Sequence, residues 1–433
     1  MNLSALNVCR FLMVAFFVAA QCISIGTTKT NAANPAHNAA WTQHTIDSSS
    51  RGADGVRLAD MNGDGWLDVA TGWEEGGITR VYQNPGPTKV HEPWPTVTVG
   101  KSPNVEDAVW FDVDGDGRLD IVSSCEGKTR QHFVHWSPMD LSRWQDPNAW
   151  RSEAFRFENR AAVPADRQKD SRAQENQQQW MFALPLEVDG KNGVDLVVGS
   201  KGDNASVGWL EAPKNRRDLS AWRYHRWIDA GWIMSLRAVD MDGDGDADIL
   251  YSDRRKQSSG VRWLENTLSE ADSTATSLAN RWPVHDIGAR GDEVLFLDVL
   301  CSKKDSRAIE IVAAVKHKGI TRFHRDDEST DWSVESIDWP TNCGREKAVA
   351  IGDINLDGAN DLVVTAESAE NASGVRWLSK QKGAWHAYPI AGKAGIKYDR
   401  IELIDLDTDG DLDVLTCEER DNLGVIWYEN PTR

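Results

Sequence analysis

DMNGDGWLD at residues 60–68 is written again as DVDGDGRLD at 112–120, DMDGDGDAD at 240–248, DINLDGAND at 353–361 and DLDTDGDLD at 405–413. Each copy has Asp or Asn at positions 1, 3, 5 and 9 and Gly at position 6. Side-chain oxygens at that spacing, with a backbone carbonyl at position 7, are the hard ligands a calcium ion takes, and Gly at 6 allows the sharp turn between them. The candidate metal ligands are Asp60, Asn62, Asp64 and Asp68, then Asp112, Asp114, Asp116 and Asp120. Asp240, Asp242, Asp244 and Asp248 follow, then Asp353, Asn355, Asp357 and Asp361, and last Asp405, Asp407, Asp409 and Asp413. An EF-hand would need flanking helices and Glu at position 12. Here a strand-like run follows position 9 at once, as at 69–71 and 121–123, so each loop is predicted to join two strands. Two further copies are damaged. EVDGKNGVD at 187–195 puts Lys191 in a ligand position and is expected to hold no metal, and 298–310 lacks the pattern. The reading is seven repeats with about five calcium sites.

The first acids stand at 60, 112, 187, 240, 298, 353 and 405, so all intervals but one are 52 to 58 residues, and the exception, 75, marks an insertion. Periods of that size belong to arrays and propellers. The formal charge of the 433 residues is -19. Clustered carboxylates repel one another until a cation sits among them, so part of that acidity is an expectation of bound metal. It also argues against nucleic acid as a partner.

Residues 11–25 are almost wholly apolar, follow Arg10, and precede a small, polar stretch ending near Ala32 and Ala33. That is the pattern of a secretory signal, so 1–32 is expected to be removed and 33–40 to be a short linker. The expectation is a secreted or periplasmic protein with no membrane span after removal. Four cysteines remain, Cys125, Cys301, Cys343 and Cys417, and their spacing shows no disulfide framework.

Around each loop the chain reads as four strands. One enters the loop, one leaves it, a third opens with Gly (GVRWLEN at 260–266, GVIWYEN at 424–430), and a fourth follows Trp41, Trp94, Trp150, Trp222, Trp282, Trp332 or Trp385. Four antiparallel strands repeated seven times predict an all-β, seven-bladed propeller over 41–433. The sequence ends after a third strand and carries a lone fourth strand at 41–47. That strand is predicted to complete the last blade and leave no open edge.

These loops at blade spacing resemble the FG-GAP and VCBS repeat family, the integrin-α-like propellers. The FG and GAP tripeptides are missing, which makes the VCBS branch the nearer likeness. The resemblance implies a propeller with calcium held by the loop residues named above, as structural sites.

If the acidic loops occupy one rim, recognition is expected on the other, where polar loops carry both signs. Candidate ligand-binding residues there are Glu126, Arg254, His317, Lys347, Tyr398, Arg400 and Glu418. A polar ring at the channel mouth is read from Asp54, Glu106, Asp292, Lys347 and Asp399, each six residues before a first acid. The insertion at 158–179 reads either as a lid or partner contact or as a segment without a role. Of 20 Trp, seven open fourth strands and five lie in third strands, which is packing; Trp73 and Trp232 are the stacking candidates. The sequence holds no nucleophile elbow, zinc-binding helix or phosphate loop, and no catalytic residue is assigned. The expected function is a non-catalytic module recognising an extracellular glycan or protein. The alternative is a lyase or hydrolase cleaving a polysaccharide on the face opposite the calcium loops.

Overall fold

The computed structural model describes residues 40–156, 178–267, 282–301, 308–326 and 329–433. The predicted signal, nearly all of the linker and most of the predicted insertion lie outside the described residues.

Seven four-stranded antiparallel sheets form among the described residues. Blade one is Ala53–Ala59, Asp68–Trp73, Ile78–Tyr82 and Thr96–Lys101; blade two is Val105–Phe111, Asp120–Cys125, Gln131–Trp136 and Arg151–Ala154. Blade three is Gln179–Leu186, Asp195–Lys201, Ser206–Glu211 and Arg223–Asp229; blade four is Ile233–Val239, Asp248–Asp253, Gly260–Leu264 and Val284–Gly288. Blade five is Val294–Cys301, Ile309–Val315, Gly319–Arg325 and Ser333–Ile337; blade six is Arg345–Gly352, Asp361–Glu367, Val375–Gln381 and Ala384–Pro389. Blade seven takes Tyr398–Ile404, Asp413–Glu418 and Gly424–Glu429 from the far end of the chain and Thr42–Asp47 from the near end. The closing register runs from Thr42 opposite Glu429 to Asp47 opposite Val425, as the lone fourth strand predicts. Each inner strand packs on the next, and that of blade seven returns to blade one, which closes the ring.

Second strands are buried on both faces, as in Asp68–Trp73 and Asp248–Asp253, because each is sandwiched between neighbouring blades. The core is therefore a ring of interblade layers. One contains Val97 and Val99 of blade one, Trp110 and Ile121 of blade two, and Trp144 and Trp150 from the connection that follows. Each fully buried aliphatic or aromatic side chain contributes roughly 1.5–3 kcal/mol. Close approach needs glycine in places: a Cβ on Gly72 would lie 2.7 Å from Val105 of the next blade, and one on Gly199 would lie 2.7 Å from Ile233. Cys125, Cys343 and Cys417 are free thiols. No helix among the described residues is long and apolar enough to cross a membrane.

Candidate functional site

The alternation of strand direction puts the loops between first and second strands on one rim with those between third and fourth strands. Within each of the five intact loops, the position 1 carboxylate folds back on its own backbone. Its Oδ2 accepts the position 6 N–H at 2.8–3.1 Å, from Gly65, Gly117, Gly245, Gly358 and Gly410. Those five glycines have φ between 86° and 97°, which a side chain would strain.

Position 9 does something else. Asp68 Oδ2 accepts from Met61 N in its own loop, and Oδ1 accepts from Asn84 N beyond the third strand. Asp120, Asp248 and Asp413 repeat both bonds. So does Asp195, in the blade where Lys191 interrupts the pattern. Position 9 is thus a structural staple whether or not the loop is intact. Burial pushes these carboxyls up, Asp68 and Asp120 to about 7, and Asp195, Asp248 and Asp413 to about 8.

Acidic groups able to hold a metal ion gather at Asp112, Asp114 and Asp120. They also gather at Glu187, Asp189 and Asp195, although the sequence reading expects no ion in that loop; Lys191 approaches Asp189 only to 3.7 Å. Among the described residues, the buried carboxylate oxygens Asp246 Oδ1, Asp405 Oδ1 and Asp411 Oδ1 have no hydrogen-bond partner, and neither has Asp189 Oδ2 in the interrupted loop. In blade two Arg217 sits 2.6 Å from Asp114 and supplies positive charge. Beside it on the same rim opens a cavity of about 750 Å³ between blades two and three, lined by Asp114, Asp116, Arg143, Arg151, Lys214 and Arg217. The cavity lies opposite the rim on which the loop charges predict recognition, and no motif in the sequence marks it. Its one local signal is Met139, an exposed apolar residue at the edge.

At the opposite mouth of the channel the blades are joined by charge. Lys347 of blade six lies 3.4 Å from Asp399 of blade seven, and Lys201 of blade three lies 3.4 Å from Glu106 of blade two and also pairs with Glu126. Arg254 and Lys316 both reach Glu293, at 3.1 and 3.2 Å, and Lys318 reaches Asp292 at 2.7 Å. Asp54 of blade one meets Asp399 and Glu419, and Glu419 pairs with Lys397. Burial, reinforced by Asp399 and Glu419, holds the Asp54 carboxyl well above its usual range. Asp399 resists the same burial and falls to about 2, because Lys347 faces it and Asp54 donates a hydrogen bond to it. Burial lifts Glu419 to about 7 against the pull of Lys347. Below the mouth, Arg57 makes a bidentate pair with Asp107 at 2.7 and 2.8 Å, Arg237 meets Asp298 at 3.4 Å, and Arg400 bonds Glu402 at 2.8 Å.

The predicted ligand residues therefore divide. Glu126, Arg254 and Lys347 join the network at the mouth, and Arg400 is buried beside Glu402. His317 stands exposed in a left-handed turn, φ 63°, between Lys316 and Lys318. Tyr398 is fully buried, its hydroxyl 2.8 Å from Ala394 O and 3.1 Å from Tyr428. Glu418 is also fully buried and accepts N–H groups of Ile396, Lys397, Arg420, Asp421 and Leu423, which shapes its loop. Of the polar ring, Asp54, Lys347 and Asp399 come together, Glu106 approaches Asp54 from the other side together with Glu74, and Asp292 pairs instead with Lys318. Trp73 is buried and donates to Tyr82. Trp232 is half-buried, with Lys201, Arg254 and Arg255 at 4.5–4.6 Å from its ring. Glu419 and Lys397 were legible only as members of charged loops.

Fold and loops define a seven-bladed β-propeller with repeated acidic loops. Residues 60–123 match the FG-GAP-like repeat. No curated protein matches the chain. Among solved structures it is similar to BBS1N in complex with ARL6DN, at 11% identity and TM-score 0.49, covering 90% of this chain and 97% of that one. It is also similar to an Agrocybe aegerita lectin that recognises non-reducing terminal N-acetylglucosamine, at 14% identity and TM-score 0.43, with 88% and 86% covered. A third is the rhamnogalacturonan lyase YesW, at 11% identity and TM-score 0.46, with 90% and 76% covered. At these identities none of the three assigns a ligand to this chain.

Proposed function

We propose that this is an exported, calcium-stabilised recognition propeller that binds an extracellular glycan or protein on the rim opposite its acidic loops. The observation that carries the reading is the set of ion pairs at that mouth. They cross from blade to blade and hold charged groups of both signs in place before any ligand arrives, which lowers the ordering cost of binding. Trp232 supplies an apolar ring among them, with cations alongside it, as a polar ligand with one apolar face requires. For calcium, the support is oxygen-only side chains at EF-like spacing and the partnerless carboxylate oxygens in blades four and seven.

Polysaccharide cleavage is favoured by one feature, the Glu419 carboxyl held near 7 beside the low Asp399, since groups pushed apart in this way serve as acid and base. Against it, Asp54, Asp399 and Glu419 are each at most 7% exposed and tied to lysines or to each other. The calcium-loaded mature protein, incubated with neutral and acidic polysaccharides, should retain one class without new chain ends. Trp232→Ala should weaken retention roughly tenfold. Unchanged retention would remove the site from this rim, and chain ends abolished by Glu419→Gln would make the protein an enzyme.

A further inference from the structure

On the acidic-loop rim, a second kind of cluster stands where the ring closes. His44 belongs to the closing strand, Glu429 ends the strand paired with it, and His91 comes from the connection between the last two strands of blade one. His44 Nε2 lies 2.7 Å and His91 Nε2 lies 3.3 Å from the same oxygen, Glu429 Oε2. One ligand atom from each residue falls within 4.8 Å of the others, and the His91 side chain is 45% exposed.

Part of this arrangement is ordinary blade architecture. In blade three His225 stacks on Trp209 and bonds Glu211 at 2.7 Å, and in blade four His285 stacks on Trp263 and bonds Glu265 at 2.5 Å. His44 stacks on Trp427 in the same way, with ring centroids 4.4 Å apart. What differs at the closure is the second imidazole. His91 crosses from blade one, its ring 4.7 Å from that of His44 and edge-on to it, and turns a His–Glu pair into a three-donor set.

We propose that His44, His91 and Glu429 form a binding site for a borderline divalent cation of the zinc class, chemically distinct from the oxygen-only loops. Two imidazole nitrogens and one carboxylate suit zinc or its late first-row neighbours and do not suit calcium. Three protein ligands leave a fourth position for water. The donors come from both ends of the chain and from the adjoining blade, so the site is complete only in the closed ring. Metal binding there adds to the stability of closure by mass action.

The test is calorimetric titration of zinc into the untagged mature protein, with calcium saturating so that the acidic loops are occupied. Cobalt binding followed by visible absorption reports imidazole ligation in parallel. One equivalent should bind, and His91→Ala should weaken it by roughly tenfold or more, since even indirect supports of a metal ligand cost 10–100-fold. His225→Ala and His285→Ala should leave binding intact. His91 is exposed on a connection, so its variant folds even if His44→Ala does not. Zinc binding that survives His91→Ala, that disappears once calcium saturates, or that is absent from the wild type would overturn the assignment.

Discussion

A single aspartate position shows how one side chain ties two stretches of a blade together. Asp413 and Asp195 occupy the same place in their blades and accept the same two backbone N–H groups. Removing either carboxylate leaves two buried donors unmade, so Asp195→Ala and Asp413→Ala should each cost roughly 2–4 kcal/mol in denaturant unfolding. They should part in chelator sensitivity. Asp413→Ala should blunt the difference between calcium and chelator, and Asp195→Ala should leave that difference intact. The proposed ligand role of Asp413 is read from spacing alone, because that spacing is written within nine consecutive residues. The staple was not legible there, because the second N–H lies 16 to 18 residues downstream, at Asn84 for Asp68 and Asn266 for Asp248. Burial likewise separates Tyr398 and Glu418 from Lys347, although all three stood in charged or polar stretches of sequence.

Between the first two blades the strands meet through a polar seam. Thr79 bonds Ser102 at 2.6 Å and Ser123 at 2.7 Å, and His135 continues the line to Ser123 and Ser152. His132 is buried nearby against Trp180. Desolvation lowers both imidazoles to about 3, so the folded state holds them neutral where the unfolded chain, near 6.5, takes up protons. Their contribution is complete above about pH 6.5 and is lost as pH falls, at about 1.4 kcal/mol per pH unit for each histidine. Urea unfolding between pH 6 and 4 should therefore show a slope that His132→Gln or His135→Gln each reduces by about that amount. An equal slope in wild type and variants would show that neither histidine is held neutral. The strands themselves were legible from the Gly that opens the third and the Trp before the fourth. The seam was not, since Ser and Thr carry no mark of which face they occupy.

For the whole molecule, net charge and metal belong together. A chain of charge -19 that gathers five acidic loops on one rim repels itself there. Calcium should stabilise it by about 2.7 kcal/mol per occupied loop at a hundredfold excess over Kd. The melting temperature in calcium should exceed that in chelator, and magnesium, which needs a tighter octahedral shell, should restore little of it. An unchanged melting temperature would remove calcium from the account. The blade count and the closing strand were legible because periodicity spans the whole chain. The charge network at the channel mouth was legible only as a ring of positions, since pairing Asp54 with Asp399 requires the curvature that brings blade seven back to blade one.

That closure also sets a clock. His44 and Glu429 are 385 residues apart in the chain, and at a synthesis rate of about 5–20 residues per second the first waits roughly 20–80 s for the second to exist. The waiting strand, TQHTID, buries only Ile46 when finally paired. A segment so polar can remain in water unpaired, whereas an inner strand such as Val105–Phe111, mostly buried, would seek another chain. Giving the longest delay to a strand this polar keeps an incomplete ring from becoming a seed for aggregation.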